Sequence, residues 1–130
     1  MIDHDALAQK RCLPCEGGLP PWTRDASERQ LQVLPGWSLT ADGRRISRRW
    51  AAKHFAVAIE FFRAIADLAE AEQHHPDLHR VSYRQVTIEI WTHAIGGLSE
   101  NDFILAAKID RCAAEHQVTS LPPANVAQSD

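Results

Sequence analysis

A chain of 130 residues, 45% of them hydrophobic, is long enough for one core and too short for two. Its formal net charge of −3 gives no general attraction for nucleic acid, and no apolar run approaches the roughly 20 residues that cross a bilayer. Cys12, Cys15 and Cys112 are too few for a disulfide scaffold and fit a reducing compartment. Met1 to Lys10 lacks the basic start and apolar centre of a secretory signal, so a cytoplasmic location is expected.

Residues 1–22 read as an irregular extension, because Gly17-Gly18 and Pro20-Pro21 punctuate the backbone too heavily for a helix or a central strand. Ser27 to Leu34 suits a short helix, with Leu31 and Leu34 on one face and Pro35-Gly36 as its stop. Trp37 to Thr40 and Arg44 to Trp50 flank Asp42-Gly43, a strong hairpin signal, since glycine supplies the positive φ of a tight reversal.

Phe55 to Gln73 is the longest predicted helix. Its expected buried stripe is Phe55, Ile59, Phe62, Ala66 and Ala69, widened by Ala58, Ile65 and Leu68. Pro76 stops it. Leu78 to Tyr83 then pairs with a strand in which Val86, Ile88 and Ile90 alternate with Thr87, Glu89 and Trp91. The even positions are expected to meet the helices and the odd ones, with His93, to look out from the opposite face. Ser99 caps a final helix whose third residue, Asp102, complements the helix dipole; Phe103, Ala106, Ala107, Ile109 and Ala113 form its stripe. Residues 118–130 read as a disordered tail. The order helix, two strands, helix, two strands, helix predicts an α+β domain over residues 23–117. A four-stranded antiparallel sheet carries its helices on one face.

Two stretches carry chemistry. Gln73-His74-His75-Pro76 ends the long helix, and Trp91-Thr92-His93 ends a strand, so three imidazoles can meet in one small space. Imidazole has the unperturbed pKa nearest neutrality, which suits proton transfer at cellular pH. Taken alone, His74 and His75 read more readily as cationic groups closing a helix C-terminus, and a structural histidine is the lesser reading of His93. His4, His54, His79 and His116 have no comparable context and read as surface residues.

Metal binding is the other use of such residues. Cys12-x-x-Cys15 has the spacing of half a zinc knuckle, but a structural site takes four ligands and no second such pair exists. His74 and His75, as sequence neighbours, are poorly disposed to chelate one ion. No metal site is expected. The basic run Arg44, Arg45, Arg48, Arg49 and Lys53 reads as a charged guard on a sheet edge, with an acidic protein partner as the functional alternative.

From about Trp37 to Asp110 the chain resembles the pterin-4a-carbinolamine dehydratases. The matching set is Glu70, His74-His75-Pro76, Tyr83, His93 and Asp102, at the family's spacings. Thr92-His93, Gly97-Leu98-Ser99 and Ala106 to Asp110 also look like the family. One departure is Ala52 after Trp50, where members usually alternate aromatics, and it reads as a repacking. The resemblance implies dehydration of 4a-hydroxytetrahydropterin to quinonoid dihydropterin, recycling the cofactor of aromatic amino acid hydroxylases without metal or organic cofactor. It implies His74 and His93 as acid and base, and His75 as a holder of the pterin. Glu70, Gln73 and the Trp91-Thr92 backbone would contact the pterin's polar edge, with Asp102 steadying the His93 side. A homodimer or homotetramer is also implied, with no nucleic acid or membrane partner. The cysteine- and glycine-bearing N-terminus is similar to that of a branch including Rubisco accumulation factors. A binding protein, acting as an assembly factor or regulatory partner for Rubisco or a hydroxylase, is therefore the alternative.

Overall fold

The computed structural model describes residues 1–14 and 17–123. Four helices, α1 (His4–Gln9), α2 (Arg24–Leu31), α3 (Phe55–Glu72) and α4 (Glu100–Ala114), cover one antiparallel sheet. Its strands are β1 (Ser38–Leu39), β2 (Ile46–Ala52), β3 (Asp77–Val81), β4 (Gln85–Ile90) and β5 (Val118–Leu121). The spatial order is β1-β2-β4-β3, and β5 also joins β2. β1 pairs with Ile46 and Ser47, whereas β5 pairs with Arg49 to Ala52, so the two fill one edge of β2 end to end.

The predicted α+β class holds, with one strand more than expected. The tail reading fails at residues 118–121. They form β5, because the free edge of β2 offers backbone partners that local composition cannot reveal. Residues 124–130 of that predicted tail lie outside the described residues.

The extension is likewise not irregular throughout. Asp3 caps α1 by accepting from the Ala6 N–H, and Leu7 is completely buried. Gln30 closes a two-way pair with the Ile2 backbone, accepting from its N–H at 3.0 Å and donating to its carbonyl at 2.6 Å.

Period-two alternation in β4 places Val86, Ile88 and Ile90 in the core, as expected, beside Ile46, Trp50 and Ala52 of β2. Each fully buried aliphatic side chain contributes about 1.5–3 kcal/mol. The stripe of α3 is turned from its predicted position. Val57, Ala58, Phe61, Ile65 and Ala69 are buried, while Phe55 and Ile59 are 48% and 45% exposed. Apolar residues run around more than one side of α3, so periodicity left two faces available and packing against β2 and α4 chose between them.

The basic run does not guard an edge either, since β2 has neighbours on both sides. Arg48 points beneath the helices, where it donates to Asp110 on α4 at 2.7 Å. Trp37 Nε1 donates to the same Asp110 oxygen at 2.8 Å, and His4 Nε2 lies 2.9 Å from the other. Gly36, at φ +92°, makes room: a Cβ there would stand 2.5 Å from Arg48 Nε. One carboxylate thus ties α1, the β1 approach and β2 to α4.

Candidate active site

The end of α3 is built unusually. Gln73 adopts the left-handed conformation (φ 53°, ψ 39°), with its N–H directed to the Ala69 and Glu70 carbonyls. Glycine or asparagine commonly fills that position, so a glutamine there stores backbone strain. The turn sends the next two side chains apart. His74 goes inward, its Nε2 lying 2.6 Å from Asp102 Oδ1, and His75 goes outward, its Nε2 bonded to Glu70.

Asp102 is completely buried at the first turn of α4. Its second oxygen accepts from the Ser99 N–H and from Thr92 Oγ1, both at 2.8 Å, completing a capping box with Ser99. A buried carboxylate is tolerable only when its lone pairs are used, and here three donors use them. The expectation that Asp102 steadies the His93 side directly is corrected: its imidazole partner is His74. It reaches His93 only through the adjoining Thr92.

His93 follows β4 in a short 3₁₀ turn, His93–Ile95, closed by Gly96 in the left-handed region. Its position therefore comes from this turn rather than from strand parity. The Trp91 and His93 ring centroids are 4.1 Å apart, and the guanidinium of Arg45 covers Trp91 at 4.8 Å. Arg45 is itself held by Glu89 at 3.2 Å. Trp91 donates weakly to Asp77 at 3.4 Å. This stack fixes the plane against which His93 rests.

These pieces enclose a cavity of about 220 Å³ lined by Gln73, His74, His75, Trp91, Thr92, His93 and Ala94, with Leu13 and Asn101 on its remaining side. Six of the eight residues singled out from sequence line it directly. Glu70 and Asp102 reach it through His75 and His74. Tyr83 sits exposed in the β3–β4 turn, away from the cavity.

Sequence reasoning missed Leu13, Ala94 and Asn101. The Asn101 side chain exchanges two hydrogen bonds with the Leu13 backbone, at 2.9 and 2.6 Å, and so pins the extension against the site. Nearby, Glu72 accepts from the Cys12 N–H at 2.8 Å. Burial, and next the neighbouring Glu72, push the Cys12 thiol up to about 12. Among the described residues no three His, Cys, Asp or Glu side chains converge to hold a metal. Cys15 lies outside those residues.

Residues 20–112 match the family description "Pterin 4 alpha carbinolamine dehydratase". The chain belongs to the pterin-4a-carbinolamine dehydratase family. It is 45% identical over 109 residues to a putative pterin-4-alpha-carbinolamine dehydratase of Halorhodospira halophila, covering 84% of this chain and 99% of that one. It is 48% identical over 112 residues to pterin-4-alpha-carbinolamine dehydratase 2, mitochondrial, of Arabidopsis thaliana; the match takes in 84% of this chain but 60% of the plant protein. Among solved structures, a transcriptional coactivator/pterin dehydratase from Brucella melitensis matches with a TM-score of 0.67 at 29% identity. The match covers 72% of this chain and 98% of that one. Dehydratases of this family are hydro-lyases, and no described helix here is long and apolar enough to cross a membrane.

Proposed function

We propose that this chain dehydrates 4a-hydroxytetrahydropterin to quinonoid dihydropterin, restoring the cofactor spent by aromatic amino acid hydroxylases. The observation that carries this reading is the convergence of three imidazoles on one cavity, one of them backed by a buried carboxylate. In the reaction the C4a–O bond breaks as an imidazolium protonates the departing hydroxyl. A second imidazole takes the proton from the ring nitrogen, and the electron pair left behind closes the C=N bond. Water leaves and no electrons are exchanged, so a donor and an acceptor suffice and no cofactor enters the scheme.

His74 and His93 suit the donor and acceptor roles. With Nε2 engaged by Asp102, Nδ1 is the nitrogen left for a ligand in the cavity that His74 lines. His75, anchored by Glu70, suits holding the pterin, and the Gln73 amide with the Trp91-Thr92 backbone suits its polar edge. The test is a dehydration assay with synthetic 4a-hydroxytetrahydropterin, with and without chelator. Turnover that chelator leaves unchanged is the expected result, and a folded protein without turnover would sink the proposal.

The reading includes a homodimer or homotetramer in a compartment that keeps thiols reduced, the cytoplasm by our account. Phe55 and Ile59, exposed on α3, are apolar surface suited to self-association. A second reading, a binding protein on the same fold, is favoured by one observation. The similar Brucella melitensis protein is named a transcriptional coactivator as well as a pterin dehydratase. Rubisco or a hydroxylase would then be the partner, and inactivity of the folded wild type would support it.

A further inference from the structure

Leu13 and Asn101 bound the histidine cavity on one side. Both residues also line a larger adjoining cavity of about 400 Å³, and Ala94 on one side of the wall is followed by Ile95 on the other. The second space is mainly apolar, bounded by Pro14, Leu19, Pro20 and Trp22 of the extension. It is a built feature. Trp22 is seated on Phe103 with ring centroids 4.7 Å apart, its backbone N–H donates to the Leu98 carbonyl at 2.8 Å, and Pro21 is packed so closely on Gly97 that a Cβ there would meet it at 2.7 Å. Leu13 and Leu19 nevertheless each stay 69% exposed, an unusual state for two large apolar side chains beside one opening.

Size and polarity point to one occupant. Pockets for small organic ligands hold about 300–1,000 Å³; the histidine cavity of about 220 Å³ falls below that range, and the neighbouring space of about 400 Å³ shares Leu13 and Asn101 with it. A pterin is a fused bicycle with its polar amino-oxo edge at one end and C6 at the other. C6 would reach the second space with the polar edge against Gln73 and the histidines and C6 toward Leu13, which lines both cavities. We propose that the N-terminal extension forms a specificity annex that takes an apolar or aromatic substituent at C6 of the pterin. Its walls are Leu13, Leu19, Trp22 and Ile95. The annex rests on the pterin reading of the histidine cavity and adds to it the class of substrate preferred.

The test is calorimetric binding of 6-methyl-7,8-dihydropterin and 6-phenyl-7,8-dihydropterin to the full chain and to Leu19→Asp. Leu19 is exposed and borders the annex alone, so the variant should fold and keep the histidine cavity. The wild type should bind the phenyl compound about tenfold or more tightly than the methyl one, from burial of the ring. Leu19→Asp should lose that gain and leave methyl-pterin affinity unchanged. Equal affinities in the wild type, or equal losses for both ligands in the variant, would overturn the annex alone. If neither compound binds, the pterin reading falls and the annex with it. Should Leu19→Asp change the sedimentation-velocity mass and leave both affinities alone, a second copy covers the groove and the annex is wrong.

Discussion

Asp102 Oδ1 lies 2.6 Å from His74 Nε2, and the same carboxylate receives Thr92 and Ser99 on its other oxygen. One buried side chain therefore orients a proposed catalytic imidazole, caps α4 and ties down the residue before His93. Asp102→Asn keeps the volume but replaces an acceptor oxygen with an NH₂ group that faces donors. The expected result is a fall of about 10²-fold or more in kcat with a smaller change in KM, measured by steady-state dehydration kinetics. Unaltered kcat in a folded variant would take His74 out of the proton transfer.

His93 and Ile88 separate chemistry from stability. Ile88 is completely buried, so Ile88→Ala should lose about 2–5 kcal/mol in denaturant unfolding and lower activity through the folded fraction. His93 is exposed in its 3₁₀ turn, and His93→Ala should stay within about 0.5 kcal/mol of wild type while turnover drops about 10²-fold or more. A stable, fully active His93→Ala would remove it from the mechanism.

The stack Arg45–Trp91–His93 predicts a graded series. Trp91→Ala removes the surface on which the imidazole rests and should cost kcat more than Trp91→Phe, which preserves a ring face. Arg45→Ala, one layer further out, should cost less than either. Kinetics of the three variants at one pH check the order, and an inverted order would mean that Trp91 does not hold His93.

Burial pushes Cys12 up to about 12 and also raises Cys112, with Glu115 adding to the second shift. Both thiols should stay protonated at pH 8 and react slowly with iodoacetamide while the protein is folded, as site-resolved peptide mapping would reveal. The sign for stability follows. A thiol whose folded value lies above its unfolded one, about 8.5, favours the fold below that pH. The contribution is lost as pH rises from there toward 12. Rapid alkylation of Cys12 in the folded protein would contradict its enclosure.

What sequence could reveal was what neighbours in sequence decide. The alternation through Val86, Ile88 and Ile90 needs no partner to be read, and the histidine spacings stand in plain order. Contacts made across long separations were hidden. Ser120 opposite Trp50 makes a strand out of a segment that reads as a tail. Leu13 joins the cavity only because Asn101, 88 residues away, holds its backbone. Asp102 meets His74 rather than His93 because α4 packs against α3, a long-range contact that no spacing encodes. On α3, the expected stripe included Phe55 and left out Phe61, yet packing buried Phe61 and left Phe55 half exposed.

The left-handed backbone at Gln73 sets two demands against each other. Relief of the strain calls for glycine, which adopts φ +53° freely, whereas the proposed pterin site draws on the side-chain amide of Gln73, which lines the cavity. Gln73→Gly should therefore raise the melting temperature or leave it unchanged while weakening ligand binding. Fold improvement and function would be seen to compete at a single residue. A thermostability screen blind to activity would select the wrong amino acid at the mouth of the site.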